Sequence, residues 1–377
     1  MRVLLKAPVG AAKSSLPYFS RATDMQPAIN RCEQEQAAFK ARVANGSVLR
    51  SLAVYQTRLA NPQTSLLEKA EAYESMGLLC RQLGDLQKAR FFFNLAIFAD
   101  PLTEPFYRKR MDLVNAKGLP RRTVSVVISS YNRYHDLLQT IRHVRANTFY
   151  PVEIIVVADK CDDGTVDYVL SENGRHNFIG VVNETHQGNV ASLITGICRS
   201  RGDYIALIAD DIQLMPGWDL EIVLSIDHDT RAGCGVPLIL NSAGRVDSVG
   251  QHNEFLSTKY DWIGRNKMAH ADRACGQNLL FFPEFQQPRE CDYGYVPVLK
   301  RTCLENIGSV DGAYRHYFFD PDIGYTLQKH GWKNIYCPTS IAIHHQKKIG
   351  ESRKKELHSK AAPEYCYFVH KWGLYLP

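Results

Sequence analysis

The stretch that decides the fold is Tyr-Ile-Ala-Leu-Ile-Ala-Asp-Asp-Ile-Gln-Leu-Met-Pro-Gly-Trp, residues 204–218. Its first six residues form an apolar run without polar alternation, which is typical of a strand covered by helices on both faces. Asp210 and Asp211 follow this run directly. Because Mg²⁺ prefers oxygen ligands and commonly shares them with a substrate phosphate, a strand that ends in two carboxylates predicts a divalent-cation site.

The same order of strand, loop and helix recurs upstream of this stretch. Apolar, β-branched runs predict strands at residues 123–130, 151–158, 177–182 and 204–209, and apolar spacing predicts helices at residues 134–146 and 188–199. This alternation favours an α/β fold with an open, mostly parallel sheet. Ligands of such sheets gather at the carboxyl ends of the strands, and three of these ends carry polar groups: Tyr131 with Asn132, Asp159, and Asp210 with Asp211.

The composition indicates a globular protein with room for more than one domain. Of the 377 residues, 45% are hydrophobic, enough for a large core and for two domains or one domain with an appendage. Only three consecutive apolar residues follow the basic start, and no stretch reaches membrane-spanning length, so we expect a cytoplasmic protein. The ten cysteines form no Cys-x-x-Cys pair and no zinc-ligand cluster, which favours free thiols.

The net charge of +6 is modest, but residues 346–356 are densely basic. Three interpretations of this segment stay open: a solvated helix or loop, a mobile flap that neutralises a diphosphate, or a patch that contacts anionic lipid at the inner face of the membrane. We expect at most peripheral membrane contact. Nucleic acid is not an expected partner, because no nucleic-acid-binding motif accompanies the patch.

The amino-terminal third has a different pattern. Small, aromatic and proline residues in this region resemble one helix-turn-helix unit of the tetratricopeptide repeat family: Tyr73, Gly77, Gly84, Ala89, Phe93, Ala96 and Pro101. One repeat cannot bury its own apolar face, so helices at about residues 34–60 and 104–116 are expected to cover it. The region is either a surface for protein docking or self-association, or a helical support for the sheet domain.

Four segments in the middle of the chain together resemble family 2 glycosyltransferases with the GT-A fold: residues 124–133, 154–159, 163–165 and 209–218. Further segments follow the family's order, namely residues 296–301, 307–311, 319–323 and 331–336, then Pro338 and the pair His344 and His345. The resemblance covers residues 121–346. It implies inverting transfer of a sugar from a nucleotide diphosphate donor, UDP by default, to an acceptor hydroxyl on a glycan, glycolipid or glycoprotein, assisted by Mn²⁺ or Mg²⁺.

These features predict four parts of the chain. Residues 1–33 are an amino-terminal extension, and residues 34–118 are a small all-α domain similar to a tetratricopeptide repeat. Residues 121–346 are the GT-A domain, and residues 347–377 are a basic flap and tail. Acceptor recognition is expected between residues 238 and 295, where aromatic and polar residues are frequent.

The resemblance assigns the nucleotide to the ends of the first two strands. Asp159 resembles the family's base-binding aspartate and can accept a hydrogen bond from a uracil-type imide; a helix-capping turn is the alternative. Four residues at the end of the first strand are further nucleotide-side candidates: Ser129, Ser130, Tyr131 and Arg133.

The resemblance assigns the metal to Asp210, Asp211 and the histidine pair. Asp210 and Asp211 resemble the variant of the D-x-D motif in which two aspartates are adjacent. Asp211 matches the direct metal ligand, and Asp210 matches the position that contacts the ribose or supports the metal. His344 and His345 resemble the histidine that completes the metal site, with His344 ahead of His345. Three basic residues then lie on a flap over the phosphates: Lys347, Lys348 and Arg353.

Asp320 resembles the aspartate of the family's Glu-Asp motif, which implies the role of general base; inverting displacement needs a carboxylate within reach of the acceptor hydroxyl. Asp322 is the rival candidate. The chain departs from the family pattern in four places: Phe319 replaces the usual glutamate, Thr326 an arginine, Ala158 an aspartate, and Leu193 with Ile194 an Arg-Asn pair. The last two departures leave donor binding intact but obscure the choice of sugar.

Other classes of function stay open or are excluded. A degenerate transferase that serves as a protein scaffold is one alternative, and a sugar nucleotidyltransferase is another, although the glycine-rich phosphate loop of the latter is missing after the first strand. A dehydrogenase is disfavoured because no G-x-G-x-x-G turn is present. Absence of a Gln-x-x-Arg-Trp motif disfavours a processive synthase.

Overall fold

A computed structural model of the protein describes residues 48–251, 274–345 and 351–373. The chain divides into two compact units, Met1–Pro62 and Gln63–Pro377. In the first unit the described element is helix α1, Val48–Ala60. All elements discussed below belong to the second unit.

The second unit is organised around a ten-stranded mixed sheet, counted over the described residues. Its strands are β1 (Val124–Ser130), β2 (Val152–Asp159), β3 (Phe178–Asn183), β4 (Tyr204–Ala209), β5 (Ile212–Leu214), β6 (Ala232–Asn241), β7 (Val246–Ser248), β8 (Arg289–Cys291), β9 (Val298–Lys300) and β10 (Lys333–His344). Their order in the sheet is β3-β2-β1-β4-β9-β6-β10-β5, with β7 paired to β6 and β8 to β10.

The first four strands are parallel, and three helices connect them: α5 (Tyr134–Asn147), α6 (Thr165–Glu172) and α7 (Asn189–Arg199). This half of the sheet confirms the predicted α/β pattern. The other half is mixed, because the short strand β9 runs antiparallel to both β4 and β6, and β5 runs antiparallel to β10.

The apolar runs of these strands are buried on both faces of the sheet. On β1, Val126 and Val127 are both fully buried, yet they belong to different core clusters on opposite faces. Successive residues of a strand point to opposite faces, so a run without polar alternation requires a helical layer on each side. The prediction that helices cover the sheet on both faces is confirmed.

The helices before the sheet are α2 (Leu66–Gln82), α3 (Leu86–Ala99) and α4 (Glu104–Met111), followed by the 3₁₀ turn Ala116–Gly118. A capping box begins α2, since Ser65 Oγ accepts the Glu68 N–H and the Glu68 carboxylate accepts the Ser65 N–H. The close contact between α2 and α3 depends on Gly77, where an added Cβ would lie 2.7 Å from the Phe93 ring. These two helices span the segment with the repeat-like pattern, but membership of the tetratricopeptide repeat family is not confirmed.

The helices α2 to α4 do not form a separate domain, because they belong to the same compact unit as the sheet. Arg90 of α3 donates to Glu221 Oε1 at 2.6 Å, and Glu221 is only 3% exposed. Arg110 of α4, itself buried, donates to the Thr339 carbonyl at 2.9 Å. A separate all-α domain at residues 34–118 is therefore not shown, and the described helices support the sheet.

The remaining helices are α8 (Trp218–His228), α9 (Arg301–Ile307), α10 (Phe319–Lys329) and α11 (Glu351–Trp372), with 3₁₀ turns at Leu279–Phe281 and Pro283–Phe285. The carboxyl-terminal half of α11 packs against α10. Phe368 is fully buried and its ring stacks on Phe318 with centroids 5.8 Å apart. This part of the predicted basic tail is thus an anchored helix.

None of the described helices is both long enough and apolar enough to cross a membrane. Nine cysteines lie in the described part of the chain, and all of them are free thiols, as the sequence predicts.

Candidate active site

The carboxyl ends of β1, β2 and β4 meet at one edge of the sheet. Ser130 is in register with Ala158 of β2, and Ser129 is in register with Ala209 of β4. A cavity of about 340 Å³ opens at this edge, and five of the predicted nucleotide-side residues line it together: Ser129, Tyr131, Arg133, Asp159 and Asp210. Ser130, the remaining candidate, does not line it. Parallel strands place their ends side by side, which is why residues up to 81 positions apart come together.

Asp159 is 1% exposed, and both of its carboxylate oxygens have partners. Oδ1 accepts the Gln187 N–H at 2.8 Å and the Asn183 amide at 3.0 Å, and Oδ2 accepts the Gly188 N–H at 2.8 Å. Burial opposes ionisation, but these hydrogen bonds outweigh it and lower the pKa of Asp159. As placed, Asp159 orders the loop between β3 and α7.

That loop carries His186, a residue that the sequence analysis did not single out. His186 Nδ1 lies 2.8 Å from Asp159 Oδ2. Its ring is tilted against Tyr131, at a centroid distance of 4.3 Å, and stacks on His316, at 5.9 Å. All three rings line the cavity of about 340 Å³. Flat aromatic faces of this kind are suited to a planar nucleobase.

Asp210 and Asp211 are 6% and 7% exposed and lie beside a single guanidinium. Arg133 Nη1 is 2.9 Å from Asp211 Oδ2 and 3.4 Å from Asp210 Oδ1, and Ser130 Oγ donates to Asp210 Oδ2 at 2.8 Å. Burial is the main reason that the pKa of Asp210 rises to about 6. For Asp211, burial is outweighed by His344 and Arg133, and the pKa is lowered.

The two histidines at the end of β10 face different partners. His344 Nε2 is 3.4 Å from Asp211 Oδ1, and its Nδ1 is 3.7 Å from Asp247 Oδ2. Burial opposes protonation of His344, but these two carboxylates raise its pKa to about 9. The His345 ring instead lies 3.0 Å from Ser242 Oγ and 2.9 Å from Gln213 Oε1. Only His344 has its ring at the acidic pair.

The acidic pair fits a divalent cation that takes few ligands from the protein. Asp211 Oδ1 is a buried acceptor without a hydrogen bond in the described part of the chain, and His344 lies beside it. Over the same residues, no group of three or more His, Cys, Asp or Glu side chains is arranged as a metal site. Mg²⁺ is typically bound by one or two carboxylates together with substrate phosphates, which agrees with this small donor set.

Asp320 lies on the wall of a second cavity, of about 450 Å³, together with Tyr295, Phe319 and His344. Burial raises the pKa of Asp320 to about 7. The second cavity adjoins the first, because four residues line both of them: Asn189, Ala209, His316 and Tyr317.

Asp322 has a different environment, although it follows Asp320 by only two residues. It is 2% exposed and accepts the Tyr314 hydroxyl at 3.0 Å, the Trp372 Nε1–H at 2.8 Å and the Lys371 ammonium at 2.8 Å. Every one of these contacts belongs to the packing of α10 against α11 and the loop before α10. Asp322 is therefore placed as a structural anchor.

The proposed diphosphate flap is not described. Lys347 and Lys348 lie outside the described residues, and Arg353 lies in α11 at a position whose side chain is also outside them. Of the predicted metal and catalytic residues, Asp210 lines the first cavity, and Asp320 and His344 line the second. Asp211 lies beside Arg133 and His344.

A family model and a named relative of this chain both describe glycosyltransferases. Residues 125–286 match the family model described as Glycosyl transferase family 2. The glucosyl-dolichyl phosphate glucuronosyltransferase of Haloferax volcanii is 27% identical over 195 residues, which are 50% of this chain and 56% of that protein. A protein of Sinorhizobium fredii, named Uncharacterized protein y4gI, is 21% identical over 265 residues, 66% of this chain and 27% of its own length. The chain therefore spans between about a quarter and about half of the length of these relatives.

Among solved structures, GalNAc-T7 with UDP, GalNAc and Mn²⁺ is similar with a TM-score of 0.47 and 18% identity, over 60% of this chain and 44% of that one. The family match and the named relative make the matched segment a transferase domain.

Proposed function

We propose, from the match of residues 125–286 to the glycosyl transferase family 2 model, that the protein transfers a sugar, with inversion, from a nucleotide diphosphate donor to an acceptor hydroxyl. The observation that carries the proposal is the pair of adjoining cavities. One has Asp159 and Asp210 on its wall, the other has Asp320 and His344, and Asn189 is common to both. A donor can thus occupy the first cavity while its sugar enters the second.

The nucleoside binds in the first cavity. Asp159 contributes by ordering the loop that carries His186, and the Tyr131 and His186 rings offer a stacking surface for the base. UDP is the first nucleotide to test, because it is the donor nucleotide that the family resemblance implies by default.

The diphosphate lies at the end of β4. Arg133 neutralises it as the guanidinium nearest to the acidic pair. Asp211 and His344 would hold Mn²⁺ or Mg²⁺, with Asp210 in support. When bound, such a cation neutralises the charge that develops on the leaving nucleoside diphosphate. Because a metal displaces the proton of a histidine ligand, His344 must lose its proton when it binds the cation.

Asp320 acts as the general base. Its carboxylate takes the proton of the acceptor hydroxyl while the hydroxyl oxygen bonds to the anomeric carbon of the sugar, and the bond from that carbon to the diphosphate oxygen breaks. A base with a pKa near 7 is half ionised near neutral pH and still takes up a proton readily, which suits this role. The acceptor is proposed to be a hydroxyl of a glycan, a glycolipid or a glycoprotein.

The two alternative functions gain no support. A scaffold that binds partners through helices α2 to α4 is not favoured by the packing of those helices against the sheet. The family match and the named relative describe transferases of sugars, which does not favour a nucleotidyltransferase.

The experiment that tests the proposal is a thermal shift with UDP, GDP, dTDP and CDP, each with and without Mn²⁺. A ligand at about 100 times its Kd stabilises the native state by about 2.7 kcal/mol, so one nucleotide should raise the Tm clearly, and more in the presence of Mn²⁺. If no nucleotide raises the Tm under either condition, the donor site does not exist and the scaffold hypothesis takes its place.

A further inference from the structure

Helix α11 carries a carboxylate, that of Glu364, which binds a loop of the candidate active site. The transfer mechanism above does not use this carboxylate. Glu364 Oε2 accepts three consecutive backbone N–H groups, those of Arg315 at 2.9 Å, His316 at 2.9 Å and Tyr317 at 2.8 Å. Successive N–H groups that converge in this way form an anion-binding concavity. Here the anion is a side chain from a helix nearly 50 residues further along the chain.

The loop that Glu364 binds is the wall between the two cavities. His316 and Tyr317 line both of them, and the His316 ring stacks on His186 of the first cavity. Ala361, one turn before Glu364 on α11, lines the cavity that contains Asp320. Helix α11 therefore lines the second cavity through Ala361 and binds the loop between the two cavities through Glu364.

The loop also fixes the start of α7. The Arg315 carbonyl accepts the Val190 N–H at 3.1 Å, and the Arg315 side chain packs so closely on Gly188 that an added Cβ there would lie 2.6 Å from its Cγ. Gly188 has φ = +96°, a conformation that L side chains rarely adopt, and its N–H donates to Asp159. A displaced Arg315 would thus disturb the loop that Asp159 and His186 share.

We propose that Glu364 is a positioning residue for the donor site: by binding the three N–H groups of residues 315–317, it presets the wall against which the nucleotide binds. This inference rests on the proposed function. Charge-assisted hydrogen bonds are about twice as strong as neutral ones, so three of them on one oxygen fix the loop firmly. Without them, the nucleotide must order the loop as it binds.

The test compares three variants by calorimetric titration, with Mn²⁺ present, of the two nucleotides among UDP, GDP, dTDP and CDP that raise the Tm of the wild type most. If loss of Glu364 reduces the preset fraction of the loop to about one tenth, the apparent affinity falls about tenfold. We expect this for Glu364→Ala. Glu364→Gln keeps an acceptor oxygen without the charge, so its affinity should lie between those of Glu364→Ala and the wild type.

Tyr367→Phe is the matched control. Tyr367 lies on the same helix, and its hydroxyl donates to Asp311 at 2.9 Å rather than to residues 315–317. Tyr367→Phe removes this hydrogen bond and keeps the ring that packs on Tyr314. If loosening of α11 alone weakened binding, this variant would bind as poorly as Glu364→Ala. We expect Tyr367→Phe to keep the wild-type affinity, while Tyr367→Phe and Glu364→Ala both lower the Tm.

The outcomes separate the two hypotheses. If the wild type binds neither nucleotide, the proposed function fails and the inference fails with it. If the wild type binds and Glu364→Ala binds within twofold of it, or if Tyr367→Phe weakens binding equally, the positioning role of Glu364 alone is overturned.

Discussion

Replacing Asp320 by asparagine should abolish most of the turnover and, at the same time, make the protein more stable at high pH. Loss of a general base typically lowers the rate by a factor on the order of 10² to 10⁴. The stability effect has a separate cause. Burial makes the Asp320 carboxylate costly in the folded state and raises its pKa from the ordinary 3.8 to about 7. Asparagine carries no charge, so Asp320→Asn avoids that cost.

The pH dependence of both effects follows from the same shift. Between the unfolded value of 3.8 and the folded value of about 7, the native state binds the proton of Asp320 more tightly than the unfolded state does. Stability therefore falls as the pH rises through this window. The gain in Tm of Asp320→Asn should be largest above pH 7 and absent below about pH 4, where both states are protonated.

Activity should rise as the pH rises, because Asp320 can act as a base only when it is ionised. With a pKa of about 7, roughly one tenth of Asp320 is ionised at pH 6 and roughly nine tenths at pH 8. The wild-type kcat/KM should rise about tenfold over this range and then level off. In Asp320→Asn the remaining rate should lose this dependence.

The assay is the initial rate of nucleoside diphosphate release from sugar donors that carry the nucleotide found by the thermal shift, measured from pH 5.5 to 8.5 with the Tm at each pH. Asp322→Asn serves as the control. It removes the charge of one of the two carboxylates that Lys371 contacts, and Asp311 remains as the other, so we expect a lower Tm but a pH profile like that of the wild type. A wild-type rate in Asp320→Asn, or a loss of the pH dependence in Asp322→Asn instead, would refute the assignment of the base.

The other predictions concern the metal and the helical support. Asp211→Ala should abolish the Mn²⁺-dependent part of nucleotide binding, because it removes the buried oxygen nearest His344; an unchanged Mn²⁺-dependent affinity in calorimetry would contradict this. Gly77→Val should lower the free energy of unfolding in urea by about 1–3 kcal/mol, since its Cβ would overlap the Phe93 ring. Gly118→Ala, where an added Cβ meets nothing within 4 Å, should leave stability nearly unchanged, and an equal loss in both variants would argue against close packing of α2 and α3.

The donor side of the site could be predicted from the sequence because parallel strands end at a common edge. Apolar runs fix where each strand stops, and the next polar residue must then lie at that edge. Tyr204–Ala209 is a strand with the predicted bounds, and Val124–Ser130 and Val152–Asp159 are each shifted by one residue at one or both ends. Residues at strand ends are thus placed by local sequence and one topological rule.

Choices between neighbouring residues could not be made in the same way. Asp320 and Asp322 are two residues apart on α10, and at 3.6 residues per turn this places them about 200° apart around the helix. His344 and His345 are adjacent at the end of β10, so their side chains point in opposite directions. In both pairs one residue faces the cavities and the other faces a structural contact, and the sequence does not state which face is which.

Residues contributed by distant loops gave no signal in the sequence. His186 and His316 lie 130 positions apart in irregular segments, with no periodicity to relate them, yet their rings stack. Glu364 looks like one more charged residue of a basic helix, and its role depends on a backbone turn at residues 315–317 that propensities do not predict. Hydrophobic patterning predicts which residues are buried. It does not predict polar contacts such as these.

The catalytic half of the site depends on α11 through two independent contacts. Lys371 and Trp372 bind Asp322 and so attach α10, which also carries Asp320, to α11. Glu364 fixes the loop that separates the donor from the cavity of Asp320. The base and the donor wall are therefore set by one helix, although neither belongs to it. The family match ends at residue 286. Asp320, Asp322 and Glu364 all follow that residue, so the matched segment does not include the residues that position the base and the donor wall.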